Sequence, residues 1–169
     1  MLRLTGAILT AAGCAWIGIK KAEELKAKTR ALRDMNEGLA LLAQELELNE
    51  PPMDLLMGRL ILKSRGSARL LFTGCLKEME GQAEKPFAEL WKRAVDDRRE
   101  LGHEGQNSLG ALGGVLGQCG VAAQLRALDY VRRDLEHHAQ QAADVEREQG
   151  NVFRVLGISG GAFLVTLLM

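Results

Sequence analysis

The stretch RALRDMNEGLALLAQELELNEPPM, residues 30–53, decides the fold. Leu32, Met35, Leu39, Leu42 and Leu46 recur at steps of three and four. That spacing puts them on one face of a long helix, with charged residues on the other. Pro51-Pro52 must end the helix, because proline has no N–H to continue the ladder. Pro52 is also preset for the first turn of a second helix, which carries Leu56 and Leu60.

Working outward, the same punctuation repeats. SRGS (64–67) breaks the second helix. A third runs through Leu71, Leu76 and Met79 and stops near Gly81. Pro86 opens a fourth with Phe87, Leu90, Trp91 and Val95. GHEGQNS, from Gly102, reads as a loop or a weak helix end. A fifth helix is expected over Leu109, Leu112 and Leu116. The sixth starts near Gly120 and keeps its stripe through Leu125, Leu128, Leu135, Ala139 and Ala142, with no strong breaker before the C-terminal run. The expectation is all-α: an antiparallel bundle of about six helices with short connections.

Composition narrows the function. There are 22 basic and 22 acidic side chains in 169 residues. Zero net charge argues against a general nucleic-acid binder, which needs a basic footprint. Cys14, Cys75 and Cys119 are widely spaced and form no CxxC, so neither a zinc ribbon nor a disulfide framework is indicated.

The two ends differ from the middle. Leu4–Ile19 is a run of 16 uncharged residues, and Val155–Met169 a run of 15. Sixteen helical residues rise ~24 Å, a little under the ~30 Å hydrocarbon core. Both runs are read as transmembrane helices flanking the bundle. Ala7, Ala11 and Ala15 in the first run, and Gly157 and Gly161 in the second, have the four-residue spacing that allows close helix contact in lipid. Lys20, Lys21, Lys26, Lys28, Arg30 and Arg33 follow the first run, and Arg147 and Arg154 precede the second. Bases beside a span stay on the cytoplasmic side. The expected division is therefore an anchor at 1–20, a cytoplasmic bundle at 21–150 and a C-terminal span at 151–169. Ala11–Cys14 (AAGC) loosely resembles a lipoprotein cleavage site but lacks a large aliphatic residue three before the cysteine. A lipoprotein-like extracytoplasmic helical binding module is thus the weaker reading, as is a membrane-tethered enzyme with an unrecognised site.

Catalytic chemistry finds no support. GALGGVLGQCG (110–120) lacks the Gly-Lys-Ser/Thr of a phosphate loop, and no strand precedes it. Gly110, Gly113, Gly114 and Gly117 instead suggest close approach of another helix. His137 and His138 point ~100° apart on a helix, and Asp134 with His138 makes too few ligands for a metal. No serine–histidine–acid or cysteine–histidine arrangement can be defended. No catalytic residue, cofactor, metal or small-molecule substrate is expected.

Charge is segregated. Six acids, Asp34, Glu37, Glu45, Glu47, Glu50 and Asp54, lie between Arg33 and Arg59 with no base among them. Arg59, Lys63, Arg65, Arg69 and Lys77 then follow with no acid. Two solvated faces that partly satisfy each other are one reading; a docking surface for a charged partner is the sharper one.

The residues quoted so far resemble the stage III sporulation protein AB family over nearly the whole chain. The size, the bases after the first run, the ending LVTLLM and the long helix before Pro52 all match. LGGVLGQCGVAAQ is similar to the family's Leu-Gly, Leu-Gly, Asp, Gln pattern: Leu112, Gly113, Leu116, Gly117 and Gln124 fit, while Gly120 stands where the family usually has Asp. The resemblance implies a bundle similar to the helical F domain of type II secretion and type IV pilus platform proteins. It implies a platform subunit of the mother cell–forespore channel, in the mother-cell membrane around the forespore. The expected partners are an assembly ATPase, stage III sporulation protein AA, and other membrane proteins of the channel complex. The six acids would form the docking site for that ATPase.

Overall fold

The computed structural model describes residues 2–49, 51–82 and 84–168, excepting the side chains of 2–19, 21, 22, 49 and 149–168. Among them are six α-helices and no strand: α1 (Leu2–Asn49), α2 (Met53–Lys63), α3 (Gly66–Gly81), α4 (Phe87–Asp96), α5 (Gly102–Gly110) and α6 (Val121–Leu168). Short 3-10 turns cover Arg99–Leu101 and Ala111–Gly114. The chain divides into two units, Lys28–Gln140 and the pair of segments Met1–Ala27 and Gln141–Met169.

The first unit is the helical bundle. All five predicted residues of the α1 stripe are at most 3% exposed. They share one core with Leu56 and Leu60 of α2, Phe72 and Cys75 of α3, Trp91 of α4, Leu109 of α5, and Leu128 and Leu135 of α6. The two-residue break at Ser64 and Arg65 folds α2 back on α3, and α3 in turn packs on α4. Pro52 and Pro86 stand immediately before α2 and α4, as expected of residues that cannot continue a preceding helix.

Two sequence expectations are corrected here. Gly102–Gly110, expected as a loop or weak end, is α5. Its buried positions Gly105 and Leu109 continue, at four-residue steps, from buried Leu101 at the end of the preceding 3-10 turn. The central one is a glycine, so the stripe is hard to see. A Cβ there would lie 2.9 Å from Leu32 Cδ2. The fifth helix expected over Leu109–Leu116 ends instead at Gly110. Leu112 and Leu116 are buried from turns, and Gly117, at φ +73°, holds a left-handed conformation that stops any helix.

The second unit comprises the beginning of α1 and the end of α6. Among the described residues, no helix is long and apolar enough to cross a membrane. The two expected spans, with Ala7, Ala11, Ala15, Gly157 and Gly161, fall outside the residues whose side chains are described.

Candidate functional site

The glycine-rich motif separates into residues with different jobs. At Gly113 an added Cβ would lie 3.0 Å from Trp91 Cδ1 and 3.1 Å from the Ala88 carbonyl oxygen. The 3-10 turn therefore rests on α4 only because a side chain is missing. Trp91 is fully buried and donates its indole N–H to the Leu109 carbonyl at 2.8 Å, which ties α4 to α5. Gly110 and Gly114, expected to share this packing role, face open space. Gly117 serves the turn itself, and a Cβ there would meet Met53 Cε at 3.2 Å.

Gln124 closes that turn. Its side chain is buried; Nε2 donates to the Cys119 carbonyl at 2.6 Å, and Oε1 accepts from the Gly117 N–H at 3.3 Å. One amide thus satisfies two backbone groups that the left-handed kink leaves unpaired. The Gly120 carbonyl accepts from the N–H groups of Ala123 and Gln124 and so begins α6. Between this turn and the α1–α2 corner lies an open hollow of about 310 Å³, with Leu46, Pro52, Met53 and Val121 in its wall. Cys119, also in the wall, is an exposed free thiol; Cys75 is buried, and burial pushes its thiol up to about 12.

The acidic stretch divides as well. Glu45 is only 4% exposed. It accepts from Arg59 Nη1 at 3.3 Å and from Lys63 Nζ. The hydrogen bond from Lys63 holds the Glu45 carboxyl below the usual carboxylate range; desolvation opposes this, and Arg59 adds to it. Asp34 accepts from the Ser67 N–H at 3.3 Å, at the first turn of α3. It supplies from α1 the cap that α3 lacks locally, since Arg65 makes no side-chain cap bond. Glu37 pairs with Arg65 at 2.9 Å. Glu37 and Glu45 of α1 are therefore partnered by Arg59 and Lys63 of α2 and by Arg65 just after it. Glu47 and Asp54 are exposed, with no ion pair among the described residues, and Glu50 lies outside those residues.

Ser108, Asp134 and His138 do meet, although sequence spacing alone did not bring Ser108 to them. The Ser108 hydroxyl bonds to the Asp134 carboxylate and lies 3.0 Å from the Glu104 carbonyl oxygen. His138 Nε2 is 3.5 Å from Asp134, and its Nδ1 is 3.9 Å from Glu104, which pairs with Lys28 at 3.3 Å. The carboxylate sits between serine and imidazole, whereas an activated serine needs the imidazole on its hydroxyl. This geometry ties α1, α5 and α6 together. No group of three or more ligands among the described residues could hold a metal.

Sequence reading missed two residues, Gln106 and Asn36. Gln106 Nε2 lies within 3.0–3.4 Å of the carbonyls of Val95, Asp96 and Arg98 and closes the end of α4. Asn36 accepts from Arg132 Nε at 3.1 Å, linking α1 to α6. No local pattern marks either, because each acts through backbone or side chains distant in sequence.

Fold and site together define a helical bundle in which Asp34, Glu45, Trp91 and Gln124 hold its own turns and helices, while Ser64 Oγ, Arg98 Nε and His138 Nδ1 are buried without a hydrogen-bond partner. A model of the Stage III sporulation protein AB family matches residues 3–169, and the chain belongs to that family. Its role therefore lies in sporulation. A solved structure titled "Stage III sporulation protein AB (SpoIIIAB)" shares the fold, with a TM-score of 0.63 and 14% identity over 72% of this chain and 98% of that one. No curated protein matches by sequence.

Proposed function

We propose that the protein is a non-enzymatic membrane platform subunit of the mother cell–forespore channel complex. It couples the cytoplasmic assembly ATPase, stage III sporulation protein AA, to membrane components of the channel. The uncharged runs Leu4–Ile19 and Val155–Met169 are its transmembrane helices, and the bundle faces the mother-cell cytoplasm from the membrane around the forespore.

One observation carries this reading. All 22 acids and 20 of the 22 bases lie in residues 20–150, between two uncharged runs flanked on the inner side by bases. That is the charge pattern of a cytoplasmic domain tethered at both ends. The polar constellations inside the bundle serve structure, which suits an adaptor.

Leu62, 84% exposed, gives a test position. In a background with Cys14→Ser and Cys119→Ser, expressed in non-sporulating cells so that the chain sits in the cell membrane, Leu62→Cys should resist a membrane-impermeant maleimide in intact cells and react after lysis. Labelling in intact cells would overturn the topology. The ATPase should copurify with the full chain from detergent extracts. Failure to do so at low salt would remove the coupling role.

A further inference from the structure

His138 is drawn into the bundle: its side chain is 18% exposed, whereas His103 and His137 face solvent. Its ring stands between two carboxylates. Nε2 lies 3.5 Å from Asp134 Oδ2, and Nδ1 lies 3.9 Å from Glu104 Oε2. Nδ1 is buried and has no hydrogen-bond partner. A neutral imidazole carries one N–H and one lone pair, and an ionised carboxylate only accepts. Whichever nitrogen holds the lone pair therefore faces an anion that cannot donate to it. Only the doubly protonated ring offers a donor to each carboxylate.

The titratable groups around the ring come from three helices. α5 supplies Glu104, and α6 supplies Asp134. α6 also supplies His137, whose ring centre is 6.0 Å away. α1 supplies Lys28, which pairs with the same Glu104 oxygen at 3.3 Å. Lys28 partly offsets Glu104, and a protonated His137 would oppose a second charge beside it. Asp134, Glu104 and Lys28 together leave one net negative charge around a neutral ring, which a proton on His138 cancels. Burial works against the imidazolium, but the ring keeps an edge in water and has an anion at each nitrogen. Asp134 Oδ2 also takes the hydroxyl of Ser108, so the ring sits where α5 meets α6.

We propose that His138 is a proton-operated latch that holds α5 against α6. Protonated, the ring bonds to Glu104 of α5 and to Asp134 of its own helix. As the pH rises through the imidazole range, around pH ~6.5 for a free side chain, the second proton leaves. The ring then keeps its N–H toward Asp134, the nearer anion, and releases Glu104, which is left with Lys28 of α1. The latch is full in acid and lost as pH rises, opposite in sign to the Glu45 clamp. It is a property of the bundle and requires none of the platform reading.

The test uses the full chain in detergent micelles with His103→Gln and His137→Gln, which leave His138 as the last of the three histidines. Hydrogen exchange of the α5 amides, read by mass spectrometry, is compared at each pH with the same protein carrying His138→Gln. That comparison cancels the intrinsic pH dependence of exchange. The ratio of protection between the two should be at least about tenfold larger at pH 5.5 than at pH 8. The amides of α3 should show no such change. Glu104→Gln keeps the shape of the side chain and removes the anion facing Nδ1, so with His138 in place it should abolish most of the α5 dependence. If circular dichroism shows His138→Gln unfolded, Glu104→Gln replaces it as the reference, with the same tenfold expectation. A ratio that stays flat from pH 5.5 to pH 8, or is larger at pH 8, overturns the latch. So does an equal pH dependence in α3, which would report the stability of the whole bundle, or a full dependence that survives Glu104→Gln.

Discussion

Gly38 and Glu45 lie seven residues apart on α1, about two helical turns, and meet their neighbours in opposite ways. At Gly38 an added Cβ would fall 2.5 Å from Ala68 Cβ and 3.3 Å from Phe72 Cε2, so α1 and α3 touch through the absence of a side chain. At Glu45 a carboxylate 4% exposed is held by Arg59 and Lys63 of α2, whose side chains are 41% and 55% exposed. The first contact is limited by volume and indifferent to pH. The second is limited by charge, and its bases keep their heads in water while their stems cover the carboxylate. One helix thus registers two neighbours by different physics, and each contact can be broken without touching the other.

The largest effect is expected at Gly38. Ala68 Cβ is part of a short, rigid side chain and cannot swing away, so Gly38→Leu must push α1 and α3 apart. A loss of about 3 kcal/mol is expected from overpacking. Urea denaturation at pH 4 and pH 7 should show the same loss at both. A loss that depends on pH would show that separating α1 from α3 also disturbs the Glu45 clamp, and the two contacts would not be independent.

Gly113→Leu should cost less, about 2 kcal/mol, because the short 3-10 turn that carries it can lift. Its close neighbours, Trp91 and the Ala88 backbone, both belong to α4 and cannot move without it. Gly114→Leu, beside it but facing open space, serves as the control and should be nearly neutral. Equal losses for the two would mean that the cost arises from turn conformation and not from contact with Trp91.

Sequence reading found the helix breaks and the stripes because prolines and leucine spacing act locally. It missed α5 because the middle of that stripe is Gly105, an apolar position with no side chain to count. It expected one role for four glycines. Gly113 is fixed by α4, Gly117 by backbone handedness, and Gly110 and Gly114 by neither, a distinction set by neighbours tens of residues away. The segregated charges were legible as two blocks. Their mutual pairing was one of two readings, and burial of Glu45 could not be read because a leucine-sided position and an acid share that face of α1. For the same reason, reversing Glu45 together with Glu47 and Glu50 would mix a folding defect with any docking defect; Glu47 and Asp54 make the cleaner pair.

Glu45→Gln should have a smaller effect than Gly113→Leu, since Arg59 and Lys63 can turn their charges to water once unpaired. The sign with pH is fixed. The folded Glu45 carboxyl titrates below its ordinary value, so its contribution is present above the ordinary carboxylate range and is lost as pH falls through the lowered folded value. The gap in urea midpoint between wild type and Glu45→Gln should therefore be full at pH 7 and shrink in acid. A gap that stays constant down to pH 2 would mean that shape, not charge, holds α1 to α2 here, and the contrast with Gly38 would collapse.

The smallest effect, and a favourable one, is expected at Gly120. Its carbonyl already accepts the first bonds of α6, from Ala123 at 2.9 Å and Gln124 at 3.1 Å. Its backbone is not left-handed, and a Cβ there would meet nothing within 4 Å. The first turn of α6 carries no acid. Gly120→Asp would place a carboxylate where it can accept from an unpaired N–H of that turn, face the positive end of the helix dipole and remove backbone freedom from the unfolded chain. A gain of about 0.5–1 kcal/mol is expected. Gly120→Asn keeps the hydrogen bond without the charge and should recover only part of it. Unlike Glu45, this acid needs no base, since its partners are backbone donors. A gain that vanishes in 1 M salt for Asp but persists for Asn would assign the difference to the dipole. No gain for either would mean that Gln124, already bonded across the turn to Gly117 and Cys119, leaves the start of α6 with nothing further for a cap to fix.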